Sequence, residues 1–191
     1  MSALGMVPMR IAAAAPFLLC LVSTCIAAQD RPSTPAVDTK RAKIALALSA
    51  APPNIAKNAK VVDHGADGKE VTLREGNNGF TCFPGQPGVP GGQPFCGNAA
   101  ALQWENDHDA HKPKPTNTEP GIEYMMAGGT DWSASDPYIT SGTPIKEPPH
   151  WMIMWPFDSA ITGLPTKPKQ TGTWIMWAGT PWSHLMINQK P

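Results

Sequence analysis

The sequence predicts an α+β fold in which an antiparallel sheet of about five to seven strands packs against two helices. Three observations lead to this prediction. Short segments of alternating apolar and polar residues are separated by turns rich in Gly and Asn, two segments have the apolar spacing of a helix, and 41% of the 191 residues are hydrophobic. This apolar content is enough to form a buried core. We therefore predict a single α+β domain over residues 38–191, preceded by a disordered lead-in at 29–37.

Residues 1–28 have the pattern of a secretory signal peptide. Arg10 is their one charged side chain, and the apolar run after it ends in the small residues 23–28. Pro16 interrupts this run, which is shorter than the roughly 20 residues of a membrane span. We therefore predict a periplasmic or secreted protein with no transmembrane span once the signal is cleaved. Two alternatives stay open, an uncleaved anchor and a lipoprotein modified at Cys25.

Two helices are predicted in the mature chain. Apolar residues recur at helical spacing from Asp38 until the prolines at 52 and 53 end the pattern. The second helix covers residues 99–111, and Asn98 before it is a favoured N-cap residue. The predicted strands are separated by turn sequences, and they occupy residues 60–64, 69–74, 80–82, 124–126, 150–155, 174–177 and 184–188.

Cys82 and Cys96 are the two cysteines that remain after cleavage of the signal. The 13 residues between them are too rich in Pro and Gly for a helix or a central strand. A disulfide that closes such a loop stabilises a protein by about 3 kcal/mol. Catalytic thiol pairs more often have Cys-x-x-Cys spacing. We therefore predict a structural Cys82–Cys96 disulfide.

Two segments of the C-terminal half resemble each other. Residues 124–133 and 174–183 align without a gap and are identical at five of ten positions, and each is followed by His-x-Met-Ile, at 150–153 and at 184–187. The first copy carries an insertion, 134–149, before its histidine. The prediction is an internal repeat of two hairpins that lie side by side. The alternatives are that tight turns reuse the same residues by chance, or that the first copy ends a helix at its glycines.

Histidine and methionine alternate along both returning strands. Period two places His150 with Met152 on one face, and His184 with Met186 on the same face of the second strand. Imidazole and thioether groups together suit Cu(I), so these four residues are a candidate copper site. The alternative is that both histidines are hydrogen-bonded inside a Met-lined core. The opposite face, with Trp, Ile and Leu, is predicted to face the main core, which leaves the His/Met face as a second face that a helix could cover.

An acid–base site is a further candidate on the same strands. His150 or His184 would serve as the general base, since histidine titrates near neutral pH. Asp131 or Asp136 would orient it, because both lie on or beside the long inserted loop. The common hydrolase and phosphate-binding motifs are absent from the sequence. A separate cluster, Asp107-His108-Asp109-Ala110-His111, has donors at metal-binding spacing, although a solvated helix end is the favoured explanation.

The charge balance restricts the classes of partner. Fifteen basic and fifteen acidic residues give a formal net charge of zero, which disfavours non-specific binding of nucleic acid. The most direct prediction is an exported, non-catalytic protein that binds a small molecule or a cell-envelope component. A hydrolase that uses His150 and His184 is the first alternative, and a periplasmic copper-binding protein is the second. Apart from copper, no cofactor is predicted.

Several motifs together resemble a group of small exported bacterial proteins of unassigned function. These motifs are Gly-Phe-Thr-Cys-Phe-Pro at 79–84, Tyr-Met-Met-Ala-Gly-Gly at 124–129, Pro-His-Trp-Met-Ile at 149–153, and Ile-Met-Trp-Ala-Gly-Thr-Pro at 175–181, followed by His-Leu-Met-Ile at 184–187. The resemblance covers residues 44–188. It implies export and a single domain, and it supplies no substrate or catalytic residues.

Overall fold

A computed structural model describes residues 35–189 of the chain. These residues belong to one compact unit, Ser33–Pro191. The predicted signal peptide at 1–28 lies outside the described residues, as does most of the predicted lead-in. Helix α1, Pro35–Leu48, begins three residues earlier than predicted, so residues 35–37 of the expected lead-in are helical.

The main sheet has eight strands in the order β2-β1-β3-β4-β5-β8-β10-β9. Strands β1 and β3 are parallel, and the other neighbouring pairs are antiparallel. The strands are β1 Lys60–His64, β2 Glu70–Arg74, β3 Phe80–Phe83, β4 Phe95–Asn98, β5 Gly121–Met125, β8 His150–Met154, β9 Gly172–Met176 and β10 His184–Asn188. The α+β class is confirmed.

The predicted counts of five to seven strands and two helices were too low. Strand β4 was missed because a Pro- and Gly-rich loop precedes it and a helix follows it directly. A separate two-stranded sheet pairs β6, Gly129–Asp131, which precedes the inserted segment, with β7, Ile145–Glu147, which lies near the end of that segment. The described residues contain four helices. The two that were not predicted, α2, Pro53–Ala56, and α4, Ser159–Thr162, are single turns too short to show periodicity.

The predicted N-cap of the second long helix is confirmed. Helix α3, Ala99–Asp109, follows Asn98, whose side-chain oxygen accepts a hydrogen bond from the backbone N–H of Ala101 at 3.0 Å. The same oxygen accepts from the backbone N–H of Ile122 on β5. This one amide therefore fixes the start of α3 to the neighbouring strand.

The two long helices cover opposite faces of the sheet. Helix α1 packs on the face that carries Val61 and the disulfide, in a cluster of small residues. Cys82 and Cys96 are direct cross-strand partners on β3 and β4, and their disulfide confirms the predicted pairing. Helix α3 packs on the other face, where Trp104 meets methionines of β5, β8, β9 and β10.

The buried side of the C-terminal strands is the His/Met face, so the prediction that the Trp/Ile face points to the main core was wrong. His150 and Met186 are fully buried, whereas Trp151 and Ile153 are half-buried. The reason is that α3 lies across the His/Met face, which buries it regardless of its polarity. The tryptophans of the main core come instead from α3, β9 and the turn after β9.

Two antiparallel hairpins stand next to each other in the C-terminal half. Strand β5 pairs with β8, β9 pairs with β10, and β8 and β10 are neighbours. Met125 lies opposite His150, and Met176 lies opposite His184. The sequence alignment instead matched residue 126 with 176, one residue away, so the internal repeat stays a prediction.

Within the part of the chain that the structure describes, no helix is long and apolar enough to cross a membrane.

Candidate functional site

A cavity of about 220 Å³ lies between α3, the His/Met face of the sheet and the segment that holds β6 and β7. It is smaller than the pockets of about 300–1,000 Å³ that enclose drug-sized ligands. Its walls combine aromatic rings and thioethers with an unusual number of carboxyl groups. The acidic residues that line it are Glu105, Asp109, Glu123, Asp131 and Glu147.

Two of these carboxyl groups, from Glu105 and Glu123, are within hydrogen-bonding reach of each other. Glu105 lies one helical turn from Ala101, and Glu123 lies two residues from Gly121. A Cβ atom at Gly121 would come within 2.5 Å of the backbone of Ala101. The absence of a side chain at Gly121 thus allows α3 to lie close against β5, which brings the two glutamates together.

Glu147 and Gln93 form a second polar group on the cavity wall. The Gln93 side-chain N–H donates to Glu147 Oε2 at 3.0 Å, and both residues are buried. Gln93 belongs to the loop that the disulfide closes, and the backbone N–H of Gly91 in that loop donates to the carbonyl of Thr130 on β6 at 2.7 Å. The disulfide loop therefore forms part of the site.

Burial raises the pKa of the carboxyl groups in this cavity. The pKa of Glu147 rises to about 8, because the group is desolvated and Asp131 repels its charge. Desolvation raises the pKa of Glu105 to about 7, although nearby His108 opposes the shift. The pKa of Glu123 lies well above its usual value because of burial and the neighbouring Glu105. The cavity therefore holds protons at neutral pH.

Asp131 is the fourth carboxyl group whose pKa is raised, and burial is again the main cause. The backbone N–H of Ser133 donates to Asp131 Oδ1 at 3.0 Å and partly offsets the shift. Asp131 interacts electrostatically with both Glu105 and Glu147. It therefore links the two polar groups of the cavity.

Parallel aromatic rings form one wall. The rings of Trp104 and Trp177 stack at 5.8 Å, and His108 stacks on both. Tyr138 stacks on the outer side of His108 at 4.9 Å. The cavity thus has a rigid aromatic side next to its carboxyl groups.

Trp177 adopts a backbone conformation that is rare for a bulky residue, with φ of 53°. Hydrogen bonds from this residue to the inserted segment hold it there. Its backbone N–H donates to the carbonyl of Ala134, and its indole N–H donates to the carbonyl of Ser133, both at 2.8 Å. The strained residue therefore fastens the segment beside the cavity.

His108 is the imidazole that interacts with the carboxyl pair. Its Nε2 is 3.1 Å from the carbonyl of Pro137, and its Nδ1 is 3.8 Å from Asp109. Burial alone would lower the pKa of His108, but Asp109, Glu105 and the Pro137 carbonyl outweigh burial and raise it. When protonated, this imidazole places a positive charge beside Glu105.

Several polar atoms of the cavity residues are buried and have no hydrogen-bond partner among the described residues. Three of these atoms are acceptors, Gln93 Oε1, Glu123 Oε2 and Glu147 Oε1, and one is a donor, Trp104 Nε1. Glu123 is 2% exposed and Glu147 is 5% exposed. An unsatisfied buried polar group costs about 1–3 kcal/mol. Such groups on the wall of a cavity indicate a place where a ligand would find partners.

The two histidines predicted as catalytic or copper-binding are both in the core. His184 is 2% exposed, its Nδ1 is 3.0 Å from the carbonyl of Trp182, and its ring meets Trp104 and Trp177 edge-on. His150 Nδ1 is 2.8 Å from the carbonyl of Pro148, and its Nε2 has no partner among the described residues. Burial lowers the pKa of both to about 4. His184 lines the cavity.

The predicted copper ligands share one face but do not form a compact cluster along the strands. Met186 lies directly opposite Met152, and Asn188 lies opposite His150. His184 is thus four residues from the partner of His150, and the two methionines lie between the histidines. Among the described residues, no group of three or more His, Cys, Asp or Glu side chains is placed to hold a metal ion.

The structure separates the two aspartates that were proposed to orient a histidine. Asp131 lines the cavity together with His184. Asp136 is exposed on the inserted segment, where its Oδ1 accepts a hydrogen bond from the backbone N–H of Tyr138. Of the two, Asp131 is therefore the one within the site.

Asp107, from the second candidate metal cluster, stabilises the end of α3. It is fully buried and accepts hydrogen bonds from Gln103, Lys112 and Thr116. Its oxygens are therefore engaged in ordering the chain after the helix. His111 stacks on Tyr138 instead, at 4.7 Å.

Sequence reasoning missed the residues that define the cavity. Glu105 shares a helix face with Ala101, Trp104 and His108 through i, i+3, i+4 and i+7 spacing, so its inward position could have been found. Glu123 lies on the same strand face as Gly121 and Met125, and this period-two spacing is a weaker indication that Glu123 points inward. No local pattern marks the remaining two, Gln93 and Glu147.

Comparison of this chain with protein-family models, with curated proteins and with solved structures finds no match.

Proposed function

We propose that this chain is an exported protein that binds a small ligand in the cavity between α3 and the sheet. The main support for the proposal is a group of buried oxygens without hydrogen-bond partners on Gln93, Glu123 and Glu147. These three residues line the cavity. A ligand that donates hydrogen bonds would satisfy these atoms, and the free energy so recovered would contribute to binding. The signal-like sequence at 1–28 and the disulfide support export.

The shape of the site supports binding of a small molecule. Ligand sites are concave, mostly apolar and equipped with a few polar groups that orient the ligand. Here the apolar part is supplied by Trp104, Trp177 and methionines of three strands, and the polar part by the carboxyl groups. A cavity of about 220 Å³ limits the ligand to a small compound.

Titration with small compounds tests the proposal. Trp104, Trp132 and Trp177 line the cavity, so a bound ligand should change tryptophan fluorescence. The probes are amines, polyols and carboxylates of four to six carbons at millimolar concentration, with calorimetry as a second measurement. We expect at least one class to bind wild type and to bind Glu123→Gln at least tenfold more weakly.

The matched control is Glu70→Gln, since Glu70 is an exposed carboxylate on β2, far along the sheet from β5. It should bind like wild type. If no class of probe binds wild type, or if Glu123→Gln and Glu70→Gln bind alike, the cavity is not the binding site. A protein whose ligand is an envelope component bound elsewhere on its surface would produce the first of these results, the absence of probe binding.

A second candidate function is acid–base hydrolysis in the same cavity. The observation that favours it is the Glu105–Glu123 pair, because a carboxyl group with a pKa near 7 can donate and accept a proton at neutral pH. Asp131 and His184, both predicted from sequence, line the same space. The test is hydrolysis of p-nitrophenyl esters and glycosides by wild type and Glu105→Gln. Hydrolysis by wild type that falls at least a hundredfold in the variant would favour an enzyme.

A further inference from the structure

We propose that the ligand of this cavity is a small organic ammonium ion, whose N–H groups donate to Glu123 and to the neighbouring acceptors. This inference rests on the proposed function, since it names the class of ligand for the same site. The charge of the lining residues, the type of their unpartnered atoms and the composition of the walls each support it.

The charge of the cavity is the first argument. Five acidic side chains line it, and the basic groups among the described lining residues are two imidazoles, with no lysine or arginine. The acidic groups are Glu105, Asp109, Glu123, Asp131 and Glu147, and the imidazoles are His108 and His184. Carboxyl groups gathered in a desolvated space must be neutralised by protons or by a cation. An organic cation would supply this charge.

The type of the unpartnered atoms is the second argument. Gln93 Oε1 is an acceptor, Glu123 Oε2 and Glu147 Oε1 become acceptors when their carboxyl groups lose a proton, and Trp104 Nε1 is the one donor among the unpartnered atoms of the lining residues. A primary ammonium group has three donors and no acceptor. Its hydrogen bonds to carboxylates are charge-assisted and stronger than those between neutral groups. A carboxylate or phosphate ligand would add acceptors where acceptors already lack partners.

The walls provide the third argument. Trp104 and Trp177 present aromatic surface to the cavity, and such rings attract a cation. Met152, Met154 and Met176 line the same space and provide an adaptable apolar surface for methylene groups. The cavity therefore suits a cationic head joined to a short carbon chain.

Binding of an ammonium ion would displace protons. The titratable groups around the Glu105–Glu123 pair that line the cavity are His108 and Asp109 on α3, Asp131 on β6, Glu147 on β7 and His184 on β10, and His150 on β8 interacts electrostatically with His184. Nothing among the described residues donates a hydrogen bond to Glu123 Oε2. The cation takes the place of protons on the carboxyl groups, so binding should release protons and tighten as pH rises from 6 to 8.

The experiment compares n-butylammonium with two probes of equal length, n-butanol and butyrate. Calorimetry and tryptophan fluorescence measure affinity at pH 6, 7 and 8 in phosphate, and a pH-stat measures proton release. We expect n-butylammonium to bind at least tenfold more tightly than either analogue, with release of up to one proton per site at pH 7. Glu123→Gln should bind n-butylammonium at least tenfold more weakly than wild type. The control, Glu70→Gln, should bind it as tightly as wild type.

The outcomes separate this inference from the proposed function. Equal binding of n-butanol and n-butylammonium, or ammonium binding without proton release or pH dependence, would overturn the choice of a cation while keeping a ligand site. If none of the probes binds, both the ammonium ligand and the proposed binding function are wrong. If Glu123→Gln does not fold, Glu105→Gln replaces it, and the proton release of wild type needs no variant.

Discussion

Glu105 on helix α3 and Glu123 on strand β5 bring their carboxyl groups within hydrogen-bonding reach of each other, one from each layer of the fold. Two carboxylates cannot both be charged at this separation without a large electrostatic cost, so one proton is held between them. Carboxyl groups whose pKa is strongly raised occur more often at functional sites than elsewhere in proteins. Here it lies on the wall of a cavity, where a ligand could exchange with that proton.

The pH dependence of stability should reveal the buried carboxyl groups. Glu147 has a pKa of about 8 in the folded protein against its usual 4.5, so the folded state holds a proton that the unfolded chain lacks between these values. The free energy of unfolding then falls as pH rises. His150 and His184, with pKa lowered to about 4 from 6.5, have the opposite effect, but only below pH 6.5. We therefore expect urea denaturation to show stability falling between pH 6.5 and 8.

Glu147→Gln should flatten this dependence, because it removes a titrating group while keeping the size of the side chain. The slope of the unfolding free energy should decrease by up to about 1.4 kcal/mol per pH unit in that range. Glu119→Gln, at an exposed glutamate, is the control and should keep the slope of wild type. A Glu147→Gln slope equal to that of wild type would contradict the buried, protonated state of Glu147.

The parts of the fold that sequence predicted follow local rules. Asn98 has an N-cap side chain before an alanine-rich run, and α3 begins there. Cys82 and Cys96 flank a segment that cannot be helical, and they pair. Such rules depend on a few neighbouring residues in the sequence, so they can be applied before the tertiary structure is known.

The site could not be predicted in the same way, because distant segments bring its residues together. Gln93 meets Glu147 across 54 residues of sequence. The polarity of Glu123 is typical of a solvent-facing strand residue, since polar side chains usually lie outside. Helix α3 covers that face of the sheet, so Glu123 is buried. The same covering buried the His/Met face that was predicted to lie outside the main core. For Glu123 and for the His/Met face, polarity therefore indicated the wrong side of the sheet.

The copper hypothesis predicts metal in protein purified from copper-supplemented medium. The alternative role of His184 is packing, since its ring contacts Trp104 and Trp177 edge-on and its Nδ1 lies 3.0 Å from the Trp182 carbonyl. We expect His184→Ala to lower the unfolding free energy by about 2–4 kcal/mol through loss of this packing. We also expect elemental analysis to give equal copper contents for wild type, His184→Ala and Met186→Ala. Copper that is bound by wild type and lost in both variants would establish the four-residue site instead.

The disulfide should support both stability and the binding site. Removing it with Cys82→Ala and Cys96→Ala should lower the unfolding free energy by about 3 kcal/mol, as expected for a loop of this length. The loop it closes carries Gln93, which donates to Glu147, so ligand affinity should fall as well. Urea denaturation of the double variant, with reduced wild type for comparison, measures the first effect. A double variant as stable as wild type would show that β3 and β4 are held by their ladder alone.

Trp177 should control the order of the inserted segment beside the cavity. Its indole N–H donates to the Ser133 carbonyl at 2.8 Å, and its backbone N–H donates to Ala134. Trp177→Phe removes the first hydrogen bond and keeps the second, together with an aromatic ring. We expect the unfolding free energy to fall by about 1 kcal/mol and amide hydrogen exchange across 133–140 to become faster. Trp151→Phe, on the opposite half-buried face, is the control and should leave that exchange unchanged. If Trp177→Phe exchanges like wild type in 133–140 while losing stability, the indole contributes packing alone, and the backbone hydrogen bond suffices to hold the segment.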